Sequence, residues 1–261
     1  MTPPVGPVRQ VGALLALRWQ MLRAPGARLA ACVLALALAW LVGLALTAAD
    51  AVHPALLDAA VTLAPQAYLG FGVLALLAPM AAGGSHEVVP PDQLLPFPVR
   101  PSTAFLGGLL LAPLNLVWLL QLVVLAVETA VLTAGGYLLL GLGTTVVYVA
   151  LVTVLGQSLA WVVAGLRQTR RGRQAVVLAT ALLVGTGALL AAHGYGAAAL
   201  EVSLAGPVVY AVVEGGAGYL LPWGVITAGL LVTTALSVRL GVTACGWALR
   251  RPGDAVVRTG S

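Results

Sequence analysis

"YLLLGLGTTVVYVALVTVLGQSLAWVVAGL", residues 137–166, contains no charged side chain, and this run decides the fold class. A helix rises about 1.5 Å per residue, and about 20 apolar residues cross the hydrocarbon core of a bilayer. The run is therefore long enough to cross a membrane as a helix. The basic segment "RQTRRGRQ", residues 167–174, follows directly and marks the end of the predicted span.

Composition extends this prediction to the whole chain, which is 61% hydrophobic and only 8% charged. Soluble domains carry about 25% charged residues. Apolar runs recur from end to end, so a signal peptide does not account for them, and they are too long for the alternating strands of a β-barrel. We predict a single-domain, all-α integral membrane protein over residues 1–261. Its six transmembrane helices are expected at 29–49, 59–82, 104–133, 137–166, 175–192 and 223–249.

Two further segments differ in composition from the predicted spans. Residues 1–27 mix leucine and valine with arginine, which is typical of an amphipathic helix lying at the membrane surface. Residues 193–222, before the last span, are less apolar and richer in glycine. We expect this second segment to lie outside the membrane as a short helical or re-entrant element.

The arginines indicate which side of the membrane each loop occupies. All 13 basic residues are arginine. In the six-span arrangement, one face holds Arg9, Arg18, Arg23, Arg28, Arg100, Arg167, Arg170, Arg171, Arg173, Arg250, Arg251 and Arg258. The opposite loops hold Asp50, Asp58, Glu201 and Glu214 instead. By the positive-inside rule, both termini and the even-numbered loops are cytoplasmic, so topology explains the net charge of +5 without a nucleic-acid partner.

Catalytic and metal-binding patterns are incomplete. A chain without lysine has neither a standard P-loop nor a Schiff-base lysine. His86 and Glu87 lack the second histidine of a zinc-protease motif, and residues 156–160 approach a serine-hydrolase elbow in the middle of a predicted helix. Cys32 and Cys245 lie in apolar runs as expected of small packing residues. We predict no catalytic residue, no metal site and no cofactor bound by this chain.

Three polar residues fall inside predicted spans at similar depth. Arg239 lies eleven residues before Arg250, roughly 16 Å along a helix, and Asn115 and Gln157 lie about as far from their cytoplasmic ends. Together they could form a polar layer that lines a substrate path or a gate. Alternatively, Arg239 extends to the cytoplasmic interface while the two amides join neighbouring helices.

Span one carries a small residue at every fourth position. These residues are Ala31, Ala35, Ala39 and Gly43. Such a row permits close helix contact and is a candidate dimer interface, although an alanine-rich chain produces it readily by composition alone.

The loop between spans two and three, residues 83–103, contains the proline-rich stretch "PPDQLLPFPVRP". Pro91 suits the first position of a helix, and Asp92 suits its first turn because a negative charge there opposes the helix dipole. Pro96 and Pro98 then end the helix, since the residue before proline disfavours the α conformation. We predict a very short, rigid helix beneath the membrane whose apolar residues face either the bilayer surface or a partner.

At this loop the sequence resembles the permease subunits of bacterial type-2 ABC exporters. The resemblance lies in Glu87, Gln93, Leu94, Leu95, Pro98, Leu106 and Gly107, and it extends to the six-span plan and the two outlying segments. The chain departs from the family pattern at Val89-Pro90 and at Gly108.

The resemblance implies a non-catalytic half-transporter of the bacterial inner membrane that works with a second permease copy, identical or related. Its loop would form a coupling helix docked on a separate ATP-binding subunit, which would hold ATP and Mg²⁺. The implied contact residues are Glu87, Pro91, Asp92, Gln93, Leu94, Leu95, Phe97, Pro98 and Arg100. The sequence does not identify the substrate, and an apolar path would suit a hydrophobic drug, a lipid or a peptide alike. A membrane module for assembly or signalling, without transport, is the alternative.

Overall fold

The computed structural model describes residues 36, 39, 43, 54–81, 100–111, 116–133, 137–194 and 203–250. Most of these residues are helical, and none of them belongs to a strand. Leu36, Ala39 and Gly43 are isolated helical positions. The helices with described bounds are α1 (Pro54–Ala81), α2 (Pro101–Leu111), α3 (Leu116–Leu132), α4 (Leu138–Arg167), α5 (Arg170–Ala192), α6 (Ala205–Gly216) and α7 (Leu220–Leu249).

Four of these helices are long and apolar enough to cross a membrane. Their qualifying stretches are Leu57–Leu77, Leu138–Arg167, Arg170–Leu189 and Leu220–Leu249. Among the described residues, the prediction of an all-helical fold is confirmed, and four of the six predicted spans correspond to helices that could cross a membrane. The predicted third span corresponds to two shorter helices, α2 and α3, on either side of residues 112–115, which lie outside the described residues. Also outside are 1–27, most of span one, 82–99 and 251–261.

Helix α4 is the centre of the bundle, because it contacts each of the other six helices with described bounds. Helix α7 runs beside it in the same direction. Near their starts, Trp223 Nε1 donates a hydrogen bond to the Leu140 carbonyl at 3.1 Å. Near their ends, Gln168 Nε2 donates to the Ala248 carbonyl at 3.2 Å. The two helices therefore stay in register over nearly their full length.

Contacts along their length fix the directions of α1, α2 and α3 relative to α4 and α7. Helix α1 is parallel to α4, because Tyr68 contacts Thr145 and, further along both helices, Ala75 contacts Gly156. Helix α3 is antiparallel to α4. Trp118 in the first turn of α3 donates a hydrogen bond to Thr153. Thr129 in the last turn lies within hydrogen-bond distance of Thr145. Helix α2 is antiparallel to α7. Helices α1, α4 and α7 thus run one way, and α2 and α3 run the opposite way.

A tight corner joins α4 to α5. Only Gln168 and Thr169 separate the two helices. The Gly172 amide donates to Thr169 Oγ1 at 3.1 Å and satisfies one of the free amides at the start of α5. A Cβ at Gly172 would clash with the Leu166 carbonyl, so this close approach requires glycine.

Two apolar clusters form the core. The larger surrounds Tyr68, Phe71 and Tyr148 and joins α1, α3, α4, α6 and α7. The smaller lies towards the end of α4 and α7, around Phe105 and Trp161. Cys245 is fully buried in this second cluster, which fits its interpretation as a packing residue. Within the segment 193–222, α6 contributes Val208 and Val212 to the larger cluster.

Candidate functional site

The basic end of the bundle is the first candidate site. Six arginines are described there: Arg100, Arg167, Arg170, Arg171, Arg173 and Arg250. The Arg250 guanidinium donates from Nε to the Gly246 carbonyl at 3.0 Å, and Pro101, next to Arg100, packs close to Gly246. Since α4 ends at Arg167 beside the end of α7, all six arginines lie at one end.

Acidic side chains are found towards the other end. The described ones are Asp58 in the first turns of α1, Glu128 in the last turns of α3 and Glu214 near the end of α6. Because the helices alternate in direction, these three positions belong to the same half of the bundle. One end is therefore basic and the opposite half acidic, among the residues that the structure describes.

Both attachment points of the proline-rich loop lie at the basic end. Helix α1 ends at Ala81 and runs parallel to α4, so its last turns lie on the side where α4 reaches Arg167. Helix α2 begins at Pro101, three residues before the predicted start of span three, and proline suits this first helical position. Arg100 is exposed immediately before it. Outside the described residues lie Glu87, Pro91, Asp92, Gln93, Leu94, Leu95, Phe97 and Pro98.

The predicted polar layer is not assembled within the described bundle. Gln157 is half-buried on α4 against α2, where a Cβ at Gly108 would lie 2.5 Å from its Nε2 atom. Arg239 is exposed on α7, and Ser237 and Gly241, two residues away on either side, are buried. Arg239 therefore faces away from the packed side of α7, and away from Gln157. Asn115 lies outside the described residues, and the roles of all three remain predictions.

The small-residue row of span one is described at two positions only. Ala39 is exposed and Gly43 is half-buried, both in helical conformation. Ala31 and Ala35 lie outside the described residues, so the dimer interface remains a prediction.

Sequence reasoning missed a buried group of hydroxyls in the acidic half, which we call the hydroxyl cluster: Tyr68 of α1, Thr129 of α3 and Thr145 of α4. Tyr68 Oη lies 2.8 Å from Thr129 Oγ1 and 2.6 Å from Thr145 Oγ1, and the two threonine oxygens are 2.8 Å apart. Each hydroxyl has only one proton to donate. Thr129 donates to the Leu125 carbonyl at 2.6 Å and Thr145 to the Gly141 carbonyl at 3.1 Å, so the Tyr68 hydroxyl is left to donate to one of the two threonine oxygens. Because an unsatisfied buried hydroxyl is costly, the cluster fixes three helices relative to one another.

A second polar contact holds α7 at the same level of α4. Thr144 Oγ1 lies 3.0 Å from Thr227 Oγ1 and accepts a hydrogen bond from Trp223 Nε1 at 2.9 Å. Thr144 and Thr145 are neighbours in sequence and point to different helices. One level of α4 is therefore tied to α1, α3 and α7.

In the basic half, glycine contacts bring the helices together. A Cβ at Gly156 of α4 would lie 2.5 Å from the Ala75 carbonyl oxygen of α1. Likewise, a Cβ at Gly165 would enter the ring of Trp247, and one at Gly241 would enter the ring of Phe105. Close approach of backbones at small residues is a common way for membrane helices to associate. Close glycine contacts also occur in the acidic half, where Gly141 and Gly216 pack against Thr133, so that half is held by glycine contacts and by the hydroxyl cluster together.

Removing the Tyr68 hydroxyl is expected to loosen this arrangement. Tyr68→Phe should lower the free energy of unfolding by about 1 kcal/mol, a fall of about 2–4 °C in Tm for a chain of this size. Thermal unfolding of the purified protein in detergent would measure it. Tyr210→Phe, at an exposed tyrosine of α6, is the matched control and should leave Tm unchanged. Equal Tm values for the two variants would show that the cluster contributes nothing.

Among the described residues, no group of three or more histidine, cysteine, aspartate or glutamate side chains lies together as a metal site would require. Comparison of the chain with family models, curated proteins and solved structures gave no match.

Proposed function

We propose that this chain is the transmembrane subunit of an ATP-driven exporter of the type-2 ABC class. Two permeases, identical or related, would form the translocation path, and a separate subunit would bind ATP and Mg²⁺. The observation that carries the proposal is that α1 ends and α2 begins at the arginine-rich end of the bundle, and the proline-rich loop joins these two helices in the sequence. The sequence resemblance supplies the class of transporter.

The position of the loop matters because arginine-rich ends face the cytoplasm, where ATP is available. In the proposed topology the chain crosses the bacterial inner membrane six times and keeps both termini in the cytoplasm. A loop with five prolines within residues 90–101 is stiffer than an ordinary connector, since each proline ring fixes one backbone angle. A stiff loop can transmit the movement of a docked subunit.

Two helices would receive that movement. On one side the loop continues into α1, which touches α4 at the close contact of Ala75 with Gly156. On the other side it continues into α2, whose Phe105 packs against Gly241 of α7. Motion of the loop would therefore reach α4 and α7 in the basic half. The hydroxyl cluster and the Thr144–Thr227 contact would hold the opposite half as a pivot.

The exposed position of Arg239 supports a path between two copies. A charged side chain in contact with lipid near the middle of a span costs about 2.5–3.5 kcal/mol on insertion scales. That cost falls if the exposed face of α7 lines a hydrated path shared with a second permease. Gln157 and Asn115 would then modulate movement of α2 against α4, and the row from Ala31 to Gly43 would contribute to contact between copies.

Purification from native membranes tests the proposal. A tagged chain extracted in mild detergent is expected to carry an ATP-binding subunit and to show ATP hydrolysis. Recovery of a soluble partner without ATPase activity would favour an assembly or signalling module instead. A complex without any ATP-binding protein, in which no such protein is stimulated, would contradict the proposal.

A further inference from the structure

The corner between α4 and α5 concentrates positive charge. Arg167 closes α4, and Arg170, Arg171 and Arg173 fall in the first turn of α5, where the last three are exposed. The first turn of α5 contains no acidic residue, and the described acidic side chains belong to the opposite half of the bundle. No described acidic side chain therefore accompanies the exposed Arg170, Arg171 and Arg173 in this turn.

The positive charge of these arginines lies where the dipole of α5 disfavours it. The start of a helix carries the positive end of its dipole, so cations are disfavoured there and anions are favoured. Three arginines in the first turn of α5 therefore raise the energy of the isolated chain. An anion held between them would reverse that penalty, and the planar guanidinium group matches the oxygens of phosphate in a bidentate manner.

The corner is also rigid. Thr169 Oγ1 accepts from the Gly172 amide, and the Thr169 carbonyl accepts from the Arg173 amide at 3.0 Å. Gly172 is packed against the Leu166 carbonyl. The backbone that carries the arginines is thereby fixed, so binding would order only their side chains.

The surroundings of α5 identify the anion. Its stretch Arg170–Leu189 is long enough to cross a membrane, yet only 11% of its most apolar window is buried. Val177, Leu178 and Leu182 are each more than 60% exposed just beyond the corner. Lipid tails would cover these side chains, so the arginines at the start of α5 would lie at the depth of the headgroups. We propose that the α4–α5 corner binds the headgroup phosphates of anionic phospholipids, and that it does so independently of any ATP-binding partner.

Lipid retention on the purified full chain tests this site. Native mass spectrometry would compare retention of phosphatidylglycerol with retention of phosphatidylcholine, because both carry phosphate and only the first has net negative charge. Arg171→Gln/Arg173→Gln removes two charges from the corner. Arg100→Gln/Arg250→Gln is the matched control, removing two charges from the same end of the bundle.

Each arginine near an anionic surface changes affinity about fivefold, so the corner variant should lose about 25-fold in its preference for phosphatidylglycerol. The control variant should lose less, because Arg250 donates to the Gly246 carbonyl of its own helix and lies at a different helix from Arg100, whereas Arg171 and Arg173 share one turn. A corner variant that keeps the wild-type preference, or a control that falls equally, would overturn the site. Wild-type protein provides a test that does not depend on variant folding: added salt should reduce the preference, and an unchanged preference would overturn the proposal.

Two further probes exclude other anions. If millimolar inorganic phosphate stabilises the wild-type protein against heat as much as phosphatidylglycerol does, the corner takes free phosphate and the lipid assignment is wrong. If poly-glutamate binds through the corner arginines while lipid preference does not depend on them, the surface serves an acidic protein. Weak effects of phosphate and poly-glutamate, beside a strong effect of phosphatidylglycerol, are the expected result.

Discussion

Replacing Leu94 and Leu95 by aspartate is expected to uncouple the chain from its ATP-binding subunit. Both leucines lie in the predicted short helix of the proline-rich loop, where they would insert into a groove of the partner. Loss of two central apolar contacts costs at least about 2 kcal/mol each at a binding hot spot, which corresponds to roughly a thousandfold weaker binding. ATP hydrolysis by the reconstituted complex should fall to the level of the ATP-binding subunit alone.

The chain offers a matched control at the opposite end of the bundle. Leu220 and Leu221 also form an exposed leucine pair, with 61% and 80% of their surfaces accessible at the start of α7. Leu220→Asp/Leu221→Asp should leave association and ATP hydrolysis near wild-type values. If both double variants behave alike, or if the loop variant retains full activity, the loop is not the site of coupling.

Gly156→Ala is the second change with a large expected effect, here on stability. The added Cβ would lie 2.5 Å from the Ala75 carbonyl oxygen, and a backbone atom cannot turn aside as a side chain can. Overpacking of this kind costs about 1–3 kcal/mol, so Tm should fall by roughly 2–12 °C for a chain of this size. Separation of α1 from α4 should also weaken any transmission from the loop.

Gly143→Ala is the control, because it changes the same residue type in the same helix. A Cβ at Gly143 meets nothing within 4 Å. Alanine is the better helix former by about 1 kcal/mol, so this variant should be as stable as the wild type or more stable. Thermal unfolding in detergent measures both variants, and a Gly156→Ala protein as stable as Gly143→Ala would refute the close contact of α1 and α4.

The long apolar helices could be predicted from sequence because membrane crossing imposes a minimum length that composition reveals directly. The run 137–166 was expected as a helix, and α4 occupies Leu138–Arg167. The prediction for 223–249 likewise falls within α7, which begins three residues earlier, at Leu220. The contacts between side chains of different helices depend on how each helix is rotated about its axis and how deep it lies in the bundle. An almost uniformly apolar sequence does not encode either property.

The hydroxyl cluster illustrates the difference. Threonine in a helix can satisfy its hydroxyl with the carbonyl four residues back, as Thr129 does with Leu125 at 2.6 Å. Its presence in a span therefore does not by itself indicate a partner on another helix. Arg239 shows the converse case. Its depth along α7 was readable from sequence, but its outward direction depends on which face of α7 packs against α4.

The central claim is that the proline-rich loop contacts an ATP-binding subunit, and site-specific photocrosslinking tests it most directly. A photoreactive residue would replace Gln93 in the loop, and Tyr219, exposed at the opposite end of the bundle, would be replaced in the control. After irradiation of native membranes, the account predicts an adduct from position 93 that contains an ATP-binding protein, and none from position 219. Adducts from position 93 that contain only lipid, or only proteins without ATP-binding capacity, would contradict it.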